Sequence, residues 1–133
     1  MKYKISDNKI PFEVIVTNIL HKVGIPASLK GYHYLRYAIL LCIKNDGVPE
    51  KFTENVYNVI AAKYNTTSPN VRKAMAAAIS ISWDRGDIDT LNSFFGYTVD
   101  TAKGKPTNIE FISLITDKIL LKYGTLRNLY EEI

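Results

Sequence analysis

The sequence has a single cysteine, Cys42, and few of the residues that mark fibrous or linker-like chains. One thiol excludes a disulfide framework and a cysteine-rich zinc module. Seven glycines and five prolines among 133 residues are too few for a collagen-like fibre or a low-complexity linker. No apolar run approaches the roughly 20 residues that a membrane-spanning helix needs. The first residues carry lysines with no apolar stretch behind them, so we expect no signal peptide and a cytoplasmic location.

Sequence features of an enzyme or a metal protein are also missing. No pair of carboxylates and no nucleophile with a nearby base stands out, and the two histidines, His21 and His33, lie apart from each other and from Cys42. We therefore predict no catalysis, no metal and no cofactor. Hydrophobic residues make up 47% of the chain and charged residues 23%, which is typical of a folded globular protein. A length of 133 residues fits one domain.

The positive charge is concentrated in one stretch. The net charge of +4 permits a polyanionic partner without requiring one. Between Glu54 and Asp84 there is no acidic residue, whereas Lys63, Arg72 and Lys73 lie inside this stretch. This acid-free segment is therefore the candidate surface for a negatively charged partner.

Apolar residues recur at spacings of three and four along most of the chain, and no six-residue segment alternates as a strand does. The pattern predicts a single compact all-α domain of six helices over residues 10–124. Residues 1–9 are predicted to be an arm, and residues 125–133 a C-terminal extension with a further turn or two of helix. The predicted helices cover residues 10–23, 29–45, 54–63, 69–84, 87–94 and 107–123.

Polar residues at the predicted helix starts are candidate N-caps, because their side-chain oxygens accept bonds from the free N–H groups of a first turn. We predict this role for Ser28, Thr53, Ser68, Asp87 and Thr107. The third helix is expected to bury a stripe at helical spacing, formed by Val56, Val59, Ile60 and Tyr64. Cys42 and the tyrosines near it are predicted to pack in or against the core.

Residues 54–84 match a helix-turn-helix, with a short helix, a polar turn and a longer second helix that reads DNA. On that second helix, one face should pack inward, and the opposite face should carry two cations near its start and small residues beyond them. The predicted inner residues are Val71, Met75, Ala78, Ile79 and Ser82, and the predicted outer ones are Arg72, Lys73, Ala76, Ala77 and Ser80. We predict contacts to DNA bases from Asn70, Arg72, Lys73, Ala76 and Ala77. Contacts to DNA phosphates are predicted for Lys63, Thr66, Thr67, Ser68, Lys103 and Lys105.

Six motifs together point to a known family. In chain order they are GIPA at 24–27, KGYHYLR at 30–36, AKYNTT at 62–67, WDRGDID at 83–89, FGYTV at 95–99 and KPTN at 105–108. In this order and spacing, the chain resembles the C-terminal effector domain of the stage-zero sporulation response regulator family of spore-forming bacteria. The resemblance implies a six-helix DNA-binding domain whose third and fourth helices form the helix-turn-helix, and binding side by side on tandem DNA boxes.

The resemblance also implies that the base-reading positions of the family correspond to Arg72, Lys73 and Ala76. The family has glutamate, arginine and arginine at these places, and histidine at the position of Ala77, so this chain differs at all four. Lysine replaces the two-pronged guanidinium with a point charge, and alanine removes a guanine reader. We therefore expect either a different DNA site or low sequence specificity.

A second surface implied by the resemblance contacts the primary sigma factor of RNA polymerase. Two of the matching positions, Ile88 and Phe95, could equally well be ordinary core residues. Lys103 and Lys105 match lysines of the family outside this surface, and their implied role is phosphate contact or solubility. The six matching positions are Gly86, Ile88, Thr90, Asn92, Phe95 and Val99.

The family protein carries an N-terminal phosphoacceptor receiver domain, which residues 1–9 are too short to contain. We expect this chain to act without one, either as a stand-alone effector or as an effector taken from a longer protein. A rival hypothesis from another functional class is a protein-interaction module, which modulates transcription through the sigma factor or a related regulator with little specific DNA reading. The changed base-reading positions keep this alternative open.

Overall fold

The computed structural model describes residues 10–96 and 104–124, and in these ranges the chain forms helices and no strand. This confirms the predicted all-α class, and the predicted helix boundaries agree to within two residues. The arm at 1–9 and the extension at 125–133 lie outside the described residues. The elements are α1 (Phe12–Lys22), α2 (Lys30–Lys44), a π-helical segment (Thr53–Tyr57) that continues as α3 (Asn58–Lys63), α4 (Ser68–Arg85), α5 (Ile88–Phe95) and α6 (Asn108–Tyr123).

Helix α2 is the centre of the fold, because α1, α4 and α6 all pack against it. Its apolar side chains Leu35, Ile39 and Ile43 are fully buried. Burial of each such side chain contributes about 1.5–3 kcal/mol to the stability of the folded state. Cys42, on the same helix, is also fully buried, as predicted. Burial raises the pKa of its thiol to about 12, so the group stays protonated in the folded protein.

The crossing of α2 over α4 is unusually close and depends on Gly31. A Cβ atom at this position would lie 2.2 Å from the Ala74 carbonyl oxygen and 2.8 Å from the Ala78 Cβ. Both of these atoms belong to α4, and the first is main chain that cannot rotate away. Glycine at position 31 therefore determines how close α4, the second helix of the helix-turn-helix, can lie to α2.

The π-helical segment before α3 changes which residues face the core. A π turn holds more residues than an α turn, so the side chains around it are rotated relative to the pattern of a regular helix. The predicted stripe is therefore wrong in part, because Val59 and Tyr64 are each 38% exposed. Tyr57 and Ala61, which are not part of the predicted stripe, are buried instead. The buried residues of this stretch are Val56, Tyr57, Ile60 and Ala61.

The helix starts confirm some of the predicted caps and correct others. At the start of α5 the Asp87 carboxylate accepts hydrogen bonds from the Thr90 hydroxyl and from the Thr90 N–H, and these bonds lower the pKa of Asp87. Thr107 caps α6 in a reciprocal pair with Glu110. Ser28 does not cap α2, because it lies one residue before the actual N-cap, Leu29. Thr53 does not act as a cap either, because it is already inside its helix.

A buried serine joins α4 to the loop after α1. The fully buried Ser82 hydroxyl donates a hydrogen bond to the Val23 carbonyl oxygen. Replacement Ser82→Ala leaves this buried carbonyl without its donor, and we expect a loss of about 1–3 kcal/mol in the free energy of unfolding. Ser93→Ala is the matched control, since Ser93 is exposed and should change stability by about 0.5 kcal/mol or less. Urea unfolding followed by circular dichroism measures both, and equal losses would contradict the assigned role of Ser82.

Candidate nucleic-acid interface

The turn between α3 and α4 sets the start of the second helix. Asn65 adopts a left-handed conformation, with φ of 54°, which asparagine tolerates better than most residues. Thr67 has extended backbone angles and is the N-cap, because its hydroxyl oxygen accepts the Asn70 N–H at 3.3 Å. The predicted cap, Ser68, is instead the first residue of α4. Its hydroxyl oxygen is buried and has no hydrogen-bond partner among the described residues.

The side chain of Asn70 is held at the beginning of α4. Its amide nitrogen donates a hydrogen bond to the Thr66 hydroxyl oxygen at 3.3 Å, and Asn70 is exposed. The bond uses one of the two amide hydrogens. The amide oxygen and the second hydrogen remain on the exposed side chain, which is the donor–acceptor pair that recognises an adenine edge.

Helix α4 presents two different faces, as predicted. Its inner face is buried against the core, and its outer face is exposed. Arg72, Lys73, Ala76 and Ala77 are all exposed on the outer face. Further along that face Ser80 is half-buried, and its hydroxyl accepts a hydrogen bond from the exposed Lys105 ammonium. The buried residues of α4 are Val71, Met75, Ala78, Ile79 and Ser82.

Arg72 is held by contacts with two other elements. Its guanidinium carbon lies 5.2 Å from the centre of the Tyr57 ring, within cation–π range. The Asn108 side-chain nitrogen, at the start of α6, lies 3.0 Å from the Arg72 carbonyl oxygen and 3.2 Å from the Tyr57 hydroxyl. Asn108 is only 9% exposed. The guanidinium of Arg72 therefore rests on the preceding helix of the motif, while its main chain is tied to α6.

Lys63 extends the cationic surface at the end of α3. Its ammonium group lies 4.8 Å from the centre of the Tyr37 ring and 5.6 Å from that of Tyr64, and the residue is exposed. The aromatic rings limit where the ammonium can point while leaving it accessible to solvent. Because residues 55–83 contain no carboxylate, Lys63, Arg72 and Lys73 lie in a segment with charge of one sign.

Sequence reasoning missed Tyr57 and Asn108 as neighbours of the outer face. Tyr57 was missed because the π-helical segment moves it into the interior, which no regular helical spacing predicts. For Asn108, the sequence did contain a pattern that could have indicated a role beyond capping. Thr107 already provides the cap of α6, so the polar residue after it is free to serve another purpose.

The positions predicted to contact the sigma factor differ in how exposed they are to solvent. Asn92 is exposed on α5, and the half-buried Thr90 donates its hydroxyl hydrogen to the Asp87 carboxylate. Gly86 lies in the turn before α5, where a Cβ atom would be 2.4 Å from the Ser82 carbonyl oxygen. The side chain of Ile88, together with Val99 and the predicted phosphate contact Lys103, lies outside the described part of the chain.

Phe95 belongs to the core and not to an exposed surface. It is 3% exposed, and its ring lies 4.9 Å from that of Trp83 and 5.3 Å from that of Phe111. Of the two readings that the sequence left open for this residue, core packing is the one that the structure supports. At 3% exposure the ring offers little surface for direct contact with a partner.

A short helix, a capped turn and a second helix with an exposed cationic outer face define a helix-turn-helix DNA-binding domain. Comparison with protein families agrees with this class. Residues 16–119 match the family described as "Sporulation initiation factor Spo0A C terminal", and the chain belongs to it. Members of this family are DNA-binding effector domains of a sporulation transcription factor. Among the described residues, no helix is both long enough and apolar enough to cross a membrane.

Proposed function

We propose that this protein is a sequence-specific DNA-binding transcription regulator that reads DNA with the outer face of α4. The observation that carries the proposal is the composition of that face. Arg72 and Lys73 are exposed in the first half of the helix, and the residues one turn further on are the exposed alanines Ala76 and Ala77. A recognition helix contacts base edges mainly through its N-terminal turns, which is where the cations lie.

The side chains of this face suggest how bases are read. Arg72 can form two parallel hydrogen bonds to guanine, whereas Lys73 supplies a point charge for a guanine edge or a phosphate. Asn70, held by Thr66, can recognise adenine. Ala76 and Ala77 allow the helix backbone to approach the groove floor and can contact a thymine methyl group.

Phosphate contacts position the domain on the duplex without reading sequence. Lys63 and Lys105 flank α4 and are both exposed, so we assign phosphates to them, as well as to Lys103. Thr66 and Thr67 lie at the N-terminus of α4, where helix N–H groups attract anions. Ser68 takes part through its position in this first turn, since its hydroxyl oxygen is buried.

The choice of DNA sequence is the part of the proposal that needs a direct test. Selection of bound duplexes from a random library, repeated over several rounds, should give a sharp consensus. The positions opposite Arg72 should favour guanine, and the consensus should differ from the family box because four reading positions differ. Failure to enrich any sequence would contradict specific DNA reading by this chain.

A protein-interaction module is the second candidate, favoured by Ala76 and Ala77, which stand on α4 where the family has arginine and histidine. In that case the chain keeps a surface for the primary sigma factor around Gly86, Thr90 and Asn92, the described and accessible part of the predicted contact. Absence of a DNA consensus together with binding to the sigma factor would support this candidate. Under our main proposal, the same surface acts after DNA binding, and two copies associate on tandem boxes.

A further inference from the structure

We infer that Asn108, the first residue of α6, is a positioning residue for DNA reading by Arg72. The inference rests on the proposed function, because it concerns how one reading side chain of α4 is held. It assigns to the start of α6 a role that the helix-turn-helix motif alone does not contain. Asn108 acts through Arg72 and Tyr57 and does not itself touch DNA.

The hydrogen bonds of Asn108 support this role. One amide nitrogen, Asn108 Nδ2, donates to two acceptors, the Arg72 carbonyl at 3.0 Å and the Tyr57 hydroxyl at 3.2 Å. The Arg72 guanidinium lies over the ring of the same tyrosine, at 5.2 Å. Asn108 thus holds both the main chain of Arg72 and the ring on which its side chain rests. The three residues come from α6, α4 and the π-helical segment.

The chemistry of this position fits asparagine and few other residues. An amide nitrogen carries two hydrogens, one for each acceptor, whereas an ionised aspartate of the same shape can only accept. Aspartate would set a carboxylate against the Arg72 carbonyl oxygen in a site that is 91% buried, a costly arrangement. Alanine would leave both acceptors without this donor.

Holding the Arg72 side chain in place in the free protein should increase the difference in affinity between duplexes with guanine and duplexes with another base at the position that it contacts. A free arginine loses up to about 2 kcal/mol of side-chain entropy when it is ordered, and a side chain already held by its neighbours loses less. The correct guanine therefore gains more from a positioned guanidinium than from a mobile one. A wrong base, which forms no paired hydrogen bonds, gains little from it.

The test compares Asn108→Ala with Ser82→Ala. Both variants remove a hydrogen bond from a buried side chain to a main-chain carbonyl, but only the first removes one at Arg72. Binding is measured to the selected duplex and to one with the Arg72-facing guanine replaced, at a temperature where all variants are folded. Asn108→Ala should reduce the affinity ratio of the two duplexes about tenfold, with little further loss when Arg72→Ala is added. Ser82→Ala should leave the ratio unchanged.

A second measurement on the free protein does not depend on DNA. The Arg72 Nε–H resonance should be displaced by the Tyr57 ring in the NMR spectrum of the wild type. It should move toward the value of an unstructured arginine in Asn108→Ala and also in Tyr57→Phe, which keeps the ring but loses the hydroxyl acceptor. An unchanged resonance and an unchanged affinity ratio in Asn108→Ala would overturn the inference. If instead Arg72→Ala itself leaves DNA binding unaltered, it is the proposed function that fails.

Discussion

Replacement of Gly31 by alanine should destabilise the protein by about 3 kcal/mol, the upper end of the usual cost of overpacking. The new Cβ atom would lie 2.2 Å from the Ala74 carbonyl oxygen, much closer than any van der Waals contact. The obstacle is the main chain of α4, so relief requires that the two helices move apart. That separation weakens the packing between α2 and α4, one of the largest interfaces in the fold.

Gly124→Ala is the matched control for this substitution. Gly124 has helical backbone angles, and a Cβ atom there would meet nothing within 4 Å. Alanine at this site should therefore leave the free energy of unfolding unchanged or raise it by up to about 1 kcal/mol. Urea or thermal unfolding of both variants measures the difference. If Gly31→Ala were as stable as the control, the close crossing of α2 and α4 would be wrong.

Removal of both cations from the outer face of α4 should have the largest effect on DNA binding. In the double variant Arg72→Ala with Lys73→Ala, we expect an affinity loss of about a hundredfold for the selected duplex, because one paired guanine contact and one charge are lost. The plot of log affinity against log salt concentration should also become shallower by up to about 1 unit, since Lys73 can contact a phosphate and each lost phosphate contact removes about 0.9.

The control for this experiment removes the same formal charge elsewhere. Lys44 and Lys122 are exposed, in the last turns of α2 and α6, so Lys44→Ala with Lys122→Ala tests the effect of net charge alone. Its affinity should fall by much less than that of the α4 variant, and its salt dependence should stay close to the wild type. Equal losses in the two double variants would mean that general electrostatics, and not the α4 face, accounts for the binding.

The parts of the fold that were predictable are those controlled by local pattern. The two faces of α4 follow from helical spacing alone, and Cys42 lies in the core because it falls on an apolar stripe. The left-handed turn at Asn65 follows from the few residue types that tolerate it. Helix starts were harder, since Thr67 and Ser68 are both favourable cap residues and only the backbone angles show that Thr67 is the cap.

The parts that were not predictable depend on tertiary contacts. Nothing local distinguishes Tyr57 from Val59 as the buried residue, because the choice is made by a π turn. The contact of Arg72 with Tyr57 and the bonds from Asn108 join residues up to 51 positions apart in the chain. The sequence therefore identified the candidate reading residues of α4 but not the groups that hold Arg72 in place.

Amide chemical-shift mapping during a DNA titration tests the central claim most directly. The protein is labelled with ¹⁵N and titrated with the selected duplex, of about two helical turns in length. Our account predicts that the largest shifts fall on the turn and the first half of α4, from Thr66 to Ala77, with smaller shifts near Lys63 and Lys105. Shifts concentrated on α1 or α5, with α4 unchanged, would contradict the claim that the outer face of α4 binds DNA.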